Sequence, residues 1–211
     1  MAIVGESGSG KTTLLRLFNR MIDPDAGRVE VGGRDVSSMD PVHLRRALGY
    51  VQQDGGLLPH WTVLRNTALV PWLEGRSDAD DRARAQLELV GLPPEQFGSR
   101  FPRELSGGQR QRAALARALA AGPDVLLLDE PFGALDALTR AEVQDAFAAL
   151  RARLGITVLL VTHDLDEAFR LADRVAVMRD GRVEQEGDPE ALLTRPATPY
   201  VSELLARARL A

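Results

Sequence analysis

Short apolar runs alternate with longer stretches of helical spacing along this chain. Ala2-Ile3-Val4, Leu48 to Gln52, Val125 to Leu128 and Ile156 to Val161 are apolar runs of strand length, bounded by Gly, Asp or other polar residues. They read as buried strands, with a further one at 174–178. Between them, Lys11 to about Arg20, 137–154 and 165–172 carry the helical period. Strands alternating with helices predict an α/β fold, a mainly parallel sheet flanked by helices on both faces. Local signals refine this. Val29-Glu30-Val31 and Arg34-Asp35-Val36 around Gly32-Gly33 read as a hairpin. Asp40-Pro41 opens a short helix, with Asp40 as N-cap and Pro41 at the first position. Asp180-Gly181 turns into a last strand, and a helical tail runs from about Pro189 to the end.

Residues 54–104 have a different texture. Gly55-Gly56, Pro59, Pro71, Gly75 and Pro93-Pro94 break the segment, and helical stretches lie near 62–69 and 78–90. Ser106 then caps a long helix through about Ala121. The expected organisation is a single domain over 1–211, with a helical subdomain over approximately 54–115 inserted into the core.

Composition narrows the picture only a little. The chain has 211 residues, 45% of them hydrophobic, which suits one domain with an inserted subdomain. A net charge of −4 argues against a nucleic-acid-coating protein. The absence of cysteine excludes disulfides, thiolate metal sites and a cysteine nucleophile. No run approaches 18 apolar residues, so no transmembrane helix is expected, and no signal-peptide pattern opens the chain. Lys11 is the only lysine in a sequence whose other basic residues are arginines. A compact ammonium is retained where a guanidinium could not replace it.

Lys11 lies in Gly5-Glu6-Ser7-Gly8-Ser9-Gly10-Lys11-Thr12-Thr13, a phosphate-binding loop between an apolar strand and a helix. Glycines let backbone N–H groups turn inward around phosphate oxygens, and the helix presents its positive end to them. Lys11 is expected to reach the β- and γ-phosphates, and the Thr12 hydroxyl to bind Mg²⁺. Chance alone produces the pattern in a chain this long roughly 1% of the time.

Val125 to Leu128 ends in Asp129 and Glu130. Ligands in open α/β sheets bind beyond the carboxyl ends of strands, which places Asp129 to hold Mg²⁺ and Glu130 to address the attacking water. The plain alternative is a solvated strand end. Leu105-Ser106-Gly107-Gly108-Gln109 opens a helix with a serine cap and two glycines, a second anion site. An ordinary capped helix has no use for both glycines, which weaken the first turn. Two such termini suggest that two chains share nucleotide. His163 follows a strand end through Thr162. It is either structural or a γ-phosphate contact, and its position favours the latter. His43 and His60 have no such context.

In this order the motifs resemble the ABC transporter ATPases over essentially the whole chain. Gly5 to Thr12 resembles the Walker A loop, Gln53 the Q-loop glutamine, and Leu105 to Gln109 the signature motif. Val125 to Glu130 resembles the Walker B strand, Ala134-Leu135-Asp136 the D-loop, and His163 the switch histidine. Gln53, not Gln52, is taken because it is third after Tyr50, as in the family's Tyr-Val-x-Gln pattern. The resemblance implies a P-loop NTPase that binds ATP and Mg²⁺. Glu130 is then the general base or water anchor, and His163 and Gln53 sense the γ-phosphate. Thr12, Gln53 and Asp129 are the Mg²⁺ ligands. It also implies a head-to-tail dimer in which Ser106, Gly107, Gly108 and Gln109 contact the partner's ATP. Transmembrane permease subunits, an indirectly coupled substrate-binding protein and a peripheral place on the cytoplasmic face of the membrane follow, with no nucleic-acid partner. Residues 55–75 are similar to a docking groove for a permease helix.

Leu17-Phe18-Asn19-Arg20-Met21-Ile22-Asp23-Pro24, Gly56-Leu57-Leu58-Pro59-His60 and Leu69-Val70-Pro71 are similar to the osmoprotectant importers for glycine betaine, choline or carnitine. Family members carry about 25–35 residues before the Walker A strand, including antiparallel strands and an aromatic that stacks on adenine. Those strands are expected to be largely missing here, through truncation or a misassigned start, and no C-terminal regulatory domain is expected. A cytosolic ABC ATPase of DNA repair or translation, and a fragment that binds nucleotide weakly, are the competing readings.

Overall fold

The computed structural model describes residues 1–208. It opens with β1 (Ala2–Val4), all three residues buried, which runs into the glycine loop and α1 (Lys11–Phe18). α1 ends two residues short of the expected Arg20, because Asn19 leaves helical geometry and Arg20 takes a φ of 51°. Then come β2 (Glu30–Val31) and β3 (Arg34–Asp35). Gly32 and Gly33, with φ of 57° and 73°, supply the left-handed pair that a two-residue hairpin turn requires. Val36 starts a 3₁₀ turn instead of extending β3, because the Asp35 carboxylate accepts from the Ser37 N–H.

Asp40 caps α2 (Pro41–Ala47) by accepting from the His43 N–H at 2.9 Å, as expected, and β4 (Leu48–Val51) follows. The helical segment comprises α3 (Val63–Thr67), α4 (Leu69–Leu73), α5 (Ala79–Leu89), α6 (Pro94–Phe97) and α7 (Gly107–Leu119). Pro71 lies inside α4, not in a loop. It occupies the first turn, where a missing N–H breaks no intrahelical bond. β5 (Val125–Asp129) and α8 (Ala137–Leu154) complete this stretch, α8 being capped by Asp136 and stopped by a left-handed Gly155. The chain ends through β6 (Thr157–Thr162), α9 (Leu165–Leu171), β7 (Val175–Arg179), β8 (Arg182–Gly187), α10 (Pro189–Thr194) and α11 (Pro199–Ala208). The expected single tail is two helices, because Pro196 and Pro199 interrupt it and Pro199 starts α11. The expected tail's last three residues lie outside the described ones.

The chain divides into two compact units, one made of Met1–Met39 with the segment from Val158 onward, the other of Asp40–Thr157. In the first, β1 pairs in parallel with both β6 and β7, and β8 closes the edge antiparallel to β7. Ile3 stands beside Val161 and Ala176 in this register. In the second, β4 and β5 pair in parallel, with Tyr50 opposite Leu127 and Val51 opposite Leu128. Leu126, Leu127 and Leu128 are at most 1% exposed, worth about 1.5–3 kcal/mol each on burial. That burial fixes where β5 ends, and so where its two carboxylates emerge. Helices α3, α5 and α7 pack on one another within the same unit.

Candidate functional site

In the first unit the loop after β1 is built around the Lys11 ammonium. Nζ donates to the Gly5 carbonyl at 2.8 Å, the Glu6 carbonyl at 3.0 Å and Ser9 Oγ at 3.5 Å. Lys11 is 5% exposed, so its charge sits inside the loop. Gly5 cannot be anything larger: a Cβ there would run into the Met178 carbonyl oxygen of β7. The Gly181 N–H donates to the Ser9 carbonyl at 3.0 Å and pins the loop to the β7–β8 turn. Gly8 and Gly10 have φ of 83° and 96°, and the space a Gly8 side chain would fill is open. α1 starts at this Gly10 without a side-chain cap, whereas α2, α3, α7, α8, α9 and α10 each have one. A helix start that no side chain caps suits phosphate oxygens. Thr12 is half-buried and Thr13 exposed on the first turn. His163 is exposed just past β6, at the carboxyl end expected of it.

In the second unit, β4 and β5 carry the remaining strand-end groups. Asp129 is 7% exposed, and the Tyr50 hydroxyl donates to its Oδ2 at 3.4 Å, the long end of a hydrogen bond. Glu130 has a φ of 46°, left-handed for a residue with a side chain, which costs on the order of 1 kcal/mol. Gln53 Nε2 donates to Glu130 Oε2 at 3.4 Å. The Gln52 side chain lies toward Gly56 instead: its Oε1 is 2.8 Å from where a Gly56 Cβ would stand. An oxygen-only donor set containing one buried carboxylate fits Mg²⁺, which takes one or two carboxylates and completes its shell with phosphate and water. Among the described residues no three His, Cys, Asp or Glu side chains cluster as a metal site.

α7 begins with a full capping box. Ser106 Oγ accepts from the Gln109 N–H at 3.3 Å, and Gln109 Oε1 accepts from the Ser106 N–H at 2.9 Å. The serine retains its own hydroxyl proton to give away. One of the two glycines is required by packing, beyond any use in binding an anion. Gly108 is buried, and a Cβ there would lie 2.5 Å from Thr139 Cγ2 of α8. Gly108 thus has a packing reason of its own, while Gly107 meets only the flexible end of Leu135 at 3.2 Å. Asp136 caps α8, and its hydrogen bonds from Thr139 hold its carboxyl below the usual carboxylate range.

Two groups escaped the sequence reading. Tyr50 marks the Gln53 spacing in the sequence, and its bond to Asp129 follows from the β4–β5 pairing. Asn66 is fully buried, accepts from the Leu58 N–H and donates to the carbonyls of Leu58, Trp61 and Thr62, fixing the loop before α3. His43 and His60 are exposed, His60 edge-on to Trp61.

Comparison with known proteins places this geometry. The ABC transporter family pattern matches residues 1–133. The glycine betaine/carnitine/choline transport ATP-binding protein OpuCA of Bacillus subtilis is 45% identical over 214 residues, covering 100% of this chain and 56% of that protein. The chain thus spans little more than half of that relative. The glycine betaine uptake system ATP-binding protein YehX of Escherichia coli is 46% identical, covering 99% of this chain and 68% of that one. Among solved structures, a dimeric post-hydrolysis state of the ATP-binding cassette MJ0796 with ADP and Pi superimposes with a TM-score of 0.78. It is 35% identical and covers 89% of this chain and 84% of its own. The fold is that of the ABC ATPase cassettes, a mostly parallel sheet flanked by helices.

Proposed function

This chain belongs to the ABC transporter family, and from that premise we propose that it is the ATP-binding and ATP-hydrolysing subunit of an importer for quaternary-amine osmoprotectants. The observation that carries the reading is the Lys11 loop, an ammonium already centred on a ring of backbone ahead of an uncapped helix. Gly5 to Thr13 hold the triphosphate of ATP through backbone N–H groups and the Lys11 charge. Thr12, Asp129 and Gln53 supply the oxygen ligands for the Mg²⁺ that accompanies ATP. When bound, that ion neutralises charge on the transferring phosphoryl group.

The second unit provides the water chemistry. Glu130 orients and deprotonates the attacking water, and the Gln53 amide beside it holds that carboxylate in place. His163 contacts the γ-phosphate from the end of β6. The α7 terminus, with Ser106, Gly107, Gly108 and Gln109, serves the nucleotide of a second copy or homologue, and Asp136 lies at the same interface. Closure of that dimer on ATP and its opening after hydrolysis move the attached permease subunits, with a substrate-binding protein coupled only indirectly.

Two further observations support this assignment. No helix among the described residues is long and apolar enough to cross a membrane, which suits a peripheral subunit on the cytoplasmic face. Trp72 and Leu73 are 59% and 45% exposed beside the Asn66-braced loop, and Trp61 meets Trp72 edge-on at 6.2 Å. An exposed tryptophan on α4, beside a braced loop, suits a permease docking groove within 55–75. The osmoprotectant cargo rests on what OpuCA and YehX are named for.

Glu130→Gln tests the chemistry. ATP affinity is expected to stay within about two-fold of wild type while turnover falls by about 10²–10⁴. Turnover unchanged in the assembled transporter removes Glu130 from the mechanism.

A further inference from the structure

Arg117 lies near the end of α7, and its guanidinium is bonded only to backbone. Nη1 donates to the Gly56 carbonyl at 2.6 Å and Nη2 to the Gly55 carbonyl at 2.7 Å. Among the described residues it forms no ion pair with a carboxylate. Its partly buried position pulls the guanidinium pKa down through desolvation. Both of its Nη groups are spent on the Gly55-Gly56 turn.

That turn is built to be held. Gly55 and Gly56 both have left-handed φ, 73° and 60°. Successive left-handed residues bring neighbouring carbonyls within reach of one planar fork, which an ammonium could not match. The Gly55 N–H donates back to the Gln52 carbonyl at 2.8 Å, closing the turn around Gln53. A Cβ on Gly55 would meet Ala114 Cβ at 3.3 Å, so the turn rests on the body of α7. Upstream, Val51 is fixed opposite Leu128 in the β4–β5 ladder. Gln53 therefore hangs between two anchors, a strand that ends beside Glu130 and an arginine on the helix that begins at Ser106.

We propose that Arg117 is a positioning residue for ATP hydrolysis, tying the Gln53 turn to α7 so that the Gln53 amide is held against the Glu130 carboxylate. The tie is rigid, through two short bonds from one planar group. A displacement of α7 is thereby passed to Gln53, and with it to the carboxylate that addresses the attacking water. This rests on the hydrolytic reading above, but the turn itself can be examined without it.

The test uses Arg117→Met and Arg117→Lys in the full chain, with two readouts. In the first, amide hydrogen exchange of residues 52–58 is compared with that of the rest of the chain. Loss of the fork is expected to speed exchange in this segment by about ten-fold or more while the β5 and α8 amides are unmoved. Unchanged exchange at 52–58 in Arg117→Met overturns the proposal, whatever the chain's activity. In the second, ATP turnover is measured in the assembled transporter. A misplaced water-directing pair is expected to lower kcat by about 10- to 100-fold with KM for ATP within about two-fold. Arg117→Lys, which reaches one carbonyl, should fall between. Wild type without turnover sinks the hydrolytic reading and leaves the exchange result standing. Wild-type turnover with kcat intact in both variants sinks the positioning role. Should Arg117→Met not fold, Arg117→Lys carries both readouts.

Discussion

Gly108→Ala sets helix propensity against packing at the start of α7. In an isolated helix this change stabilises by up to about 1 kcal/mol. Here the new methyl would stand 2.5 Å from Thr139 Cγ2, with Val143 Cγ2 at 3.5 Å. Ordinary carbon contacts lie at about 3.5–4.0 Å, so roughly 1 Å of movement is required. Thr139 cannot simply turn aside, because its N–H and hydroxyl both serve Asp136, the cap of α8. Disturbing that cap costs about 1 kcal/mol, and overpacking costs about 1–3 kcal/mol. The net expectation is about 1–3 kcal/mol of destabilisation, or a fall of about 2–12 °C in Tm for a chain of this size. Thermal and urea unfolding of the purified chain measure it. Thr139→Ser removes the offending methyl and keeps the hydroxyl, so Gly108→Ala with Thr139→Ser should recover about 1–2 kcal/mol as a coupling energy. Gly107→Ala, which meets only the end of Leu135, should be neutral or slightly stabilising. A Gly108→Ala chain that melts at or above wild type, or strict additivity in the cycle, refutes the packing account. Gly108 would then be answerable to nucleotide alone.

Two other outcomes are expected. Lys11→Arg keeps the charge but replaces a point donor with a planar fork inside a loop whose carbonyls stand 2.8 and 3.0 Å from Nζ. ATP binding, read by equilibrium titration, should weaken at least about ten-fold, and wild-type affinity would show that the loop is not the phosphate site. Ser106→Ala removes the capping hydroxyl, costing about 1 kcal/mol of stability. In mixed dimers its hydrolytic defect should appear at the partner's nucleotide, and a defect confined to the nucleotide of the mutated chain contradicts the shared-site arrangement.

Much of the site was legible because its residues are neighbours in sequence. Gly5 to Thr13 form one loop, and Asp129 and Glu130 end a run of three fully buried leucines. Ser106 and Gln109 fall at the spacing of a capping box, and Asp136 caps the 137–154 helix at the expected boundary. Periodicity, caps and glycine spacing are local properties, so a linear reading reaches them.

Other features are set by groups far apart along the chain. The choice between Gln52 and Gln53 rested on a spacing pattern, whereas the folded chain turns one amide toward Gly56 and the other toward Glu130. Tyr50 meets Asp129 across 79 positions, and Arg117 reaches Gly55 across 62. Gly108 read as a mark of anion binding until α8 stood against it. By itself the sequence determined most of the elements, the strand ends and the glycine loop around Lys11, since each follows from burial pattern and backbone freedom within a few residues. Tertiary structure alone decided strand register, the left-handed backbone of Glu130 and the side chain each glycine must admit. Those depend on distances between surfaces that only packing brings together.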